Sequence, residues 1–308
     1  MGARLDKFLA DGERLGSRSK ATSAIDRGKI FVNDREAATA DAALTLAGGD
    51  VVSVWMDRPG SGRAVRARPR RDGALVVVYE DASLLVVDKP PGLLAVPLGR
   101  RGQADSLVDL VEAHLRSQSN RRPLVVHRID RDTSGLVMFA KDGAALTHLK
   151  AQFLRREPER VYLAVVHGHV TPEEGTWRDR LVWDGEELIQ RATSPKDPRG
   201  KEAVSTYRVV ERLRGASLVE VRLVTGKRNQ IRLQAELRGY PLVGEKMYAD
   251  APVLRRIAFP RQALHAWRLA FEHPVTGRAL RLESPVPRDL SELLSRLRPT
   301  PPSRRAPG

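Results

Sequence analysis

The sequence predicts an α+β protein built on a mixed sheet, with a small α/β unit ahead of it. Three observations carry this. Strand-length apolar runs dominate from residue 75 onward. A few amphipathic helices are interspersed among them without the regular alternation of a parallel α/β fold. A stretch rich in Gly, Pro and Arg, residues 58–73, separates the first 57 residues from the rest. The expected organisation is therefore 1–57 as one unit, 58–73 as a linker, 74–298 as the large domain and 299–308 as a disordered Pro- and Arg-rich tail.

In the first unit, Arg4 to Ala10 places Leu5, Phe8 and Leu9 on one helical face. Ser17 or Ser19 caps a second helix through Ala21, Ala24 and Ile25, stopping at Gly28. Lys29 to Val32 reads as a strand, Asn33-Asp34 as a turn, and Val51 to Trp55 as a further strand. In the large domain, Leu75 to Tyr79 and Leu84 to Val87 flank an Asp-Ala turn. Asp88 to Leu93 reads as another turn, because two prolines forbid a ladder strand. Leu107, Leu110, Val111 and Leu115 mark an amphipathic helix, and Asp142 starts another carrying Leu146, Leu149 and Phe153. Val161 to Val166, Val204 to Val210 and Leu218 to Val224 are strands.

Composition narrows the function classes. With 41% apolar residues the 308-residue chain can build a sizeable core, and no apolar run exceeds six residues, so no membrane span is expected. The first 16 residues lack the apolar segment of a signal peptide. Cysteine is absent, which excludes disulfides, zinc–thiolate sites and thiol catalysis, and fits a cytoplasmic protein. Net charge is +15, with 43 arginines among 53 basic residues. Genomic base composition accounts for much of the preference for Arg over Lys but not for the net charge, which points to a polyanionic partner.

The densest chemistry lies in His127-Arg128-Ile129-Asp130-Arg131-Asp132-Thr133-Ser134-Gly135-Leu136, between two strand-like runs. A solvated turn is one reading, with Asp130 or Asp132 capping backbone donors. A metal-binding D-x-D pair, as in nucleotidyl transfer, is a second. A serine-hydrolase elbow is excluded, since Asp132 stands where G-x-S-x-G needs its first glycine. A second cationic cluster, Thr225 to Arg232, follows a strand and opens a helix ending near Gly239. Arg228 and Arg232, four apart, are expected to share a face of it. Cations in a first helical turn oppose the helix dipole unless an anion, an RNA phosphate or a buried carboxylate, sits there.

HRIDRDTSGL resembles the catalytic signature H-R-L-D-x-x-T-S-G of the RluA-type RNA pseudouridine synthases, with Ile129 for the usual Leu. Lys89-Pro90-Pro91-Gly92 resembles their K-P-x-G element, and Arg160-Val161-Tyr162 begins a stretch similar to their tyrosine motif. Thr225-Gly226-Lys227-Arg228-Asn229-Gln230-Ile231-Arg232 resembles T-G-R-x-H-Q-I-R, departing at Lys227 and Asn229. Residues 1–57 resemble the S-four-like RNA-binding module through R-L-D-K-F-L at 4–9, S-R-S at 17–19, I-D-R-G-K-I-F-V-N at 25–33 and G-D-V-V at 49–52. That unit carries eight basic against nine acidic residues, so RNA binding must rest on a local patch, for which Arg14, Arg18, Lys20, Arg27 and Lys29 are the candidates.

The resemblance implies isomerisation of uridine to pseudouridine in RNA, large-subunit ribosomal RNA before transfer RNA, without metal or organic cofactor. It implies Asp130 as the catalytic carboxylate, kept ionised by Arg232, with Tyr162 against a flipped-out base and Arg128 holding the extruded nucleotide. Whether Asp130 acts on the base or on the sugar stays open. Thr133, Lys227, Arg228, Gln230 and Ile231 are implied to bind substrate. His265 and His273 read as structural, and the protein is expected to act as a monomer. A non-catalytic RNA-binding or ribosome-assembly protein on the same fold is the rival reading.

Overall fold

The computed structural model describes residues 2–26, 29–33, 35–54, 70–72, 75–97, 106–119, 122–249, 252 and 256–299. The expected linker, apart from residues 70–72, and the tail from residue 300 lie outside them. The chain forms two compact units. One comprises Met1–Ala67, Asp142–Pro158 and Ala270–Leu282, and the other Arg68–Lys141, Glu159–Leu269 and Glu283–Gly308.

In the smaller unit, helices α1 (Leu5–Leu9) and α2 (Arg18–Asp26) pack with strands β1 (Ile30–Val32), β2 (Arg35–Glu36) and β3 (Val52–Val54). The strands form an antiparallel sheet in the order β2-β1-β3. Leu5, Leu9, Ala21, Ile25, Ile30 and Leu46 fill its core. Ser17 Oγ accepts from the Lys20 N–H at 3.2 Å, the cap expected of that serine. Asn33 adopts φ 49° as the turn demands, and its side chain ties the turn to Asp50 at 2.8 Å and to the Val51 N–H at 2.9 Å.

The larger unit is a long sheet. Its strands are β4 (Arg70–Asp72), β5 (Leu75–Glu80), β6 (Leu84–Lys89), β7 (Leu124–Val125), β8 (Ser134–Ala140), β9 (Glu159–His167), β10 (Glu174–Asp184), β11 (Ile189–Ala192), β12 (Lys201–Leu213), β13 (Ala216–Leu223) and, through its residues 264–269, β14 (Leu264–Glu272). The order along the sheet is β11-β10-β12-β13-β9-β14-β8-β6-β5-β4, with β7 beside β8. The sheet is mixed: β14 runs parallel to β8, whereas β6 with β8 and β9 with β13 are antiparallel. Helix α3 (Leu107–Ser119) buries Leu107, Val111 and Leu115 in the same core as Val87, Phe139, Ala164 and Val219. Helix α4 (Gly143–Leu154), which belongs to the smaller unit, starts at Asp142, whose carboxylate accepts from the Ala145 N–H at 2.8 Å. Asp88 and Lys89, expected in a turn, instead complete β6, and the turn begins at the first proline.

The centre of the sheet is densely buried. β8 is buried along its whole length and β9 along most of it, so the loops at their ends spring from fixed positions. Helix α5 (Gln230–Glu236) follows β13 after a six-residue turn, and α6 (Arg288–Leu297) covers a second apolar cluster with Leu290, Leu293 and Leu294. Among the described residues, no helix is long and apolar enough to cross a membrane.

Candidate active site

The loop between β7 and β8 carries Asp130, and nearly every other group in it is tied down. Lys89, fully buried at the end of β6, donates to the carbonyl oxygens of Pro90, Leu93 and Arg131 at 2.8, 2.8 and 2.7 Å. Burial pushes its ammonium down to about 7, with Asp132 foremost among the carboxylates opposing that shift. Three carbonyl acceptors nevertheless require three N–H donors, which only the ammonium form has. The K-P-P-G turn thus clamps the loop, and Arg131 completes the clamp through Nε to the Gly92 carbonyl at 3.1 Å. On the other side, Arg261 donates to the Asp132 carbonyl at 3.0 Å while pairing with Asp289 at 2.7 Å. Ser134 Oγ lies 3.0 Å from His265 Nδ1. His127 accepts the Met138 N–H on Nε2 at 3.2 Å, as a neutral ring does, and burial pushes its pKa down to about 3.

Gly135 fixes where the loop meets the sheet. Its φ is 112°, and a Cβ there would lie 2.2 Å from the Ala266 carbonyl oxygen of the parallel neighbour β14. No side chain fits that approach.

Asp130 is left facing Arg232. Arg232 Nη1 donates to Asp130 Oδ2 at 3.4 Å, and the aspartate side chain keeps 26% of its exposure, so an incoming group can reach it. The guanidinium is held mainly by another residue. Glu245, with a side chain 0% exposed, takes Arg232 Nε and Nη2 at 2.8 and 2.6 Å in a bidentate pair. Burial would raise the Glu245 pKa, but the bonds from Arg232 and the backbone N–H groups of Met247 and Tyr248 hold it below the usual carboxylate range. Sequence reasoning missed this residue. It is placed by Val243, whose N–H bonds the Val165 carbonyl of β9 at 2.9 Å, and by Gly244, whose φ of 76° turns the chain beside Arg261.

Burial of Asp130, more than this division of Arg232, sets its electrostatics. One arginine beside Asp130 was expected to keep it ionised. Burial instead raises the Asp130 pKa, with Arg232 and Arg128 opposing and the Glu245 charge adding to the rise. Tyr162, buried on β9, senses the same field: burial raises its phenol to about 12, Arg160 opposing and Asp130 reinforcing. The site therefore joins a partly accessible carboxylate of raised pKa, a neutral phenol and a guanidinium anchored from behind. That set can hold a planar, uncharged ring, stabilise charge developing on it and exchange a proton with it.

A sequence model of the RNA pseudouridylate synthase family matches residues 83–237, spanning this loop, Tyr162 and Arg232. An RNA pseudouridine synthase of Bacillus subtilis is 37% identical over 299 residues, covering 96% of this chain and 94% of the relative. Ribosomal large subunit pseudouridine synthase D of Pseudomonas aeruginosa is 36% identical over 314 residues, covering 96% and 92%. The chain belongs to the RNA pseudouridylate synthase family. Its reaction class is accordingly an isomerisation. The fold agrees: the solved structure of human RNA pseudouridylate synthase domain containing 4 matches with a TM-score of 0.60 at 22% identity, over 72% of this chain and 92% of that one.

Several residues expected to touch substrate are instead built into this synthase. Thr133 is buried, its hydroxyl accepting from Gln262 at 3.4 Å. Gln230 Oε1 accepts from Thr225 Oγ1 at 2.8 Å and from the Lys227 N–H at 3.0 Å, and Ile231 belongs to the core. Thr225, Lys227 and Gln230 shape the turn that presents Arg232. Arg228 does not share a helical face with Arg232: Asn229 adopts φ 52°, α5 starts at Gln230, and the Arg228 guanidinium lies over Trp183. Arg128 is exposed beside Asp130. In the smaller unit Arg14 lies over the Phe8 ring at 3.8 Å and Arg18 is 3.6 Å from Asp6. Lys20 is exposed and Lys29 half-buried, while Arg27 falls outside the described residues. Among the described residues, no three His, Cys, Asp or Glu side chains gather as a metal site.

Proposed function

We propose that this synthase converts specific uridines of large-subunit ribosomal RNA to pseudouridine, with Asp130 as the catalytic carboxylate acting on a flipped-out nucleotide. The carrying observation is that Asp130, partly accessible on a loop fixed by Lys89, Arg131 and Arg261, is the loop carboxylate that pairs with an arginine, one already held by Glu245. A first set of groups locked by their neighbours is what positioning for catalysis requires. In the reaction the bond from the sugar to ring nitrogen breaks, the base turns, and a bond to ring carbon 5 forms. That carbon loses its proton and the nitrogen gains one. The reaction needs no net oxidant and no hydrolytic water.

Tyr162 packs against the turned base as a neutral phenol, and exposed Arg128 fills the gap left by extrusion. Extrusion costs a few kcal/mol, least in loops, which favours an unpaired target. The ribosomal assignment is supported by the relatives named as large-subunit synthases. Residues 1–57 act as an S-four-like RNA-binding module through Arg14, Arg18, Lys20, Arg27 and Lys29, and the protein works as a monomer in the cytoplasm.

The test is tritium release from RNA labelled at uracil carbon 5, with pseudouridine mapped in ribosomal and transfer RNA. Asp130→Asn, which keeps shape and loses the ionised oxygens, should release no detectable tritium while staying folded. Asp132→Asn should retain most turnover, because the loop holds Asp132 through its carbonyl. Equal losses at both positions would show that the catalytic group has been misassigned. Label released only from transfer RNA would overturn the ribosomal substrate.

A further inference from the structure

Trp183 is the penultimate residue of the long strand β10 and keeps 38% exposure, an unusual position for an indole. The Arg228 guanidinium lies 3.9 Å from its ring centroid. Other arginine–aromatic pairs of the larger unit differ in one respect. Arg268 lies 3.3 Å over Trp267 but pairs with Glu283 at 2.9 Å, and Arg238 pairs with Asp179 at 2.9 Å beside the buried Trp177. Among the described residues, no carboxylate pairs with Arg228. Its charge is unanswered, and the stack it forms faces solvent.

The stack is also tied to Asp130. Strand register sets Trp183 opposite Gln190 of β11. The Gln190 N–H donates to the Tyr248 hydroxyl at 3.2 Å, and Asn229 Nδ2 donates to the same oxygen at 3.1 Å. Asn229 Oδ1 accepts from Arg232 Nη1 at 3.2 Å, the nitrogen that reaches Asp130. The left-handed Asn229 turns Arg228 away from α5 and onto the indole while its side chain stays on Arg232. Four residues of chain span at most about 14 Å, so the backbone that carries Arg228 onto the indole lies close to the backbone that carries Arg232 onto Asp130.

We infer that Trp183 and Arg228 form a stacking platform for an unpaired base of the RNA substrate next to the target uridine. The inference rests on Asp130 being the site of uridine isomerisation. An indole and a planar guanidinium each offer a face to any base, and the free positive charge draws the adjoining phosphate. Such a platform adds affinity without reading sequence. It holds the strand while the target nucleotide is turned out of it.

The experiment measures tritium release from an unmodified large-subunit ribosomal RNA transcript by wild type, Trp183→Ala, Trp183→Phe and Arg228→Ala. Trp183→Ala should raise KM about 5- to 150-fold, the span that alanine substitution of a base-stacking aromatic gives, with kcat within about twofold. Trp183→Phe keeps a ring and should recover most of the loss. Arg228→Ala should raise KM as well. A KM for Trp183→Ala within twofold of wild type overturns the platform. So does a fall in kcat and melting temperature shared by the Ala and Phe variants, which marks a structural role. If wild type releases no tritium, the uridine reading fails, and tryptophan fluorescence titrated with single-stranded oligouridylate decides the platform alone. Quenching present in wild type and absent in Trp183→Phe supports it, and equal quenching in both overturns it.

Discussion

Replacing Glu245 by Gln separates the two tasks of Arg232. The substitution keeps the shape and one acceptor oxygen, but removes the charge that holds Nε and Nη2 at 2.8 and 2.6 Å. Breaking a buried pair from one side costs about 3–5 kcal/mol. At roughly 2 °C or more per kcal/mol for a chain of this size, the melting temperature should fall by about 10 °C. The effect on Asp130 has the opposite character. The Glu245 charge is among the causes raising the Asp130 pKa, and Arg232 opposes it. Without the glutamate charge the guanidinium acts on Asp130 alone, so the aspartate pKa falls. With Asp130 as the proposed catalytic carboxylate, the acid limb of kcat/KM for tritium release should therefore move to lower pH even as the protein becomes less stable. A carboxylate whose folded pKa is raised adds stability below its unfolded value, and that contribution is lost as pH rises through the folded pKa. At neutral pH, Asp130→Asn should accordingly be neutral or stabilising, the reverse of Glu245→Gln. Melting curves and pH–rate profiles at 25 °C decide the matter. An acid limb that stays put or moves upward in Glu245→Gln would refute the shared-arginine account.

Two further outcomes are expected. Gly135→Ala should cost about 4 kcal/mol or more, because the residue sits at φ 112° and its Cβ would meet backbone of β14 at 2.2 Å; circular dichroism melting measures it, and a loss below about 1 kcal/mol would show that the two strands separate easily. Treatment with EDTA, in monovalent salt that maintains the RNA fold, should leave turnover intact, because the positive charge beside Asp130 is Arg232 and Lys89 lies beside Asp132; loss restored by a divalent ion would revive the D-x-D reading.

What the sequence made legible is what local chemistry encodes. Asp142, Ser17 and Asn33 announce their caps and turn because each bonds backbone within three residues or sits where only a left-handed residue fits. The pairing of Asp130 with Arg232 was legible through motif resemblance, which supplies a contact 102 residues apart that no periodicity shows. Strand β10 was harder to read. Along Glu174–Asp184 only Trp177 and Leu181 are buried, so its apolar signal returns every fourth residue and imitates a helix face.

Glu245 and Trp183 went unread for a deeper reason. A glutamate between Gly244 and Lys246 looks like a solvated turn, because burial of a charge is decided by a partner elsewhere in the chain. The same holds for Arg228. Its four-residue spacing from Arg232 implies a shared helical face only if every residue between is helical, and Asn229 at φ 52° breaks that condition. The departure at 229 thus does more than replace one side chain. Its αL backbone is accessible to asparagine at low cost, and its amide bonds Arg232 on one end and Tyr248 on the other. An alanine at 229 would keep neither of those bonds. Asn229→Ala should therefore loosen Arg232 and the β10–β11 hairpin together, which makes position 229 the joint between the arginine that faces Asp130 and the strand pair that carries Trp183.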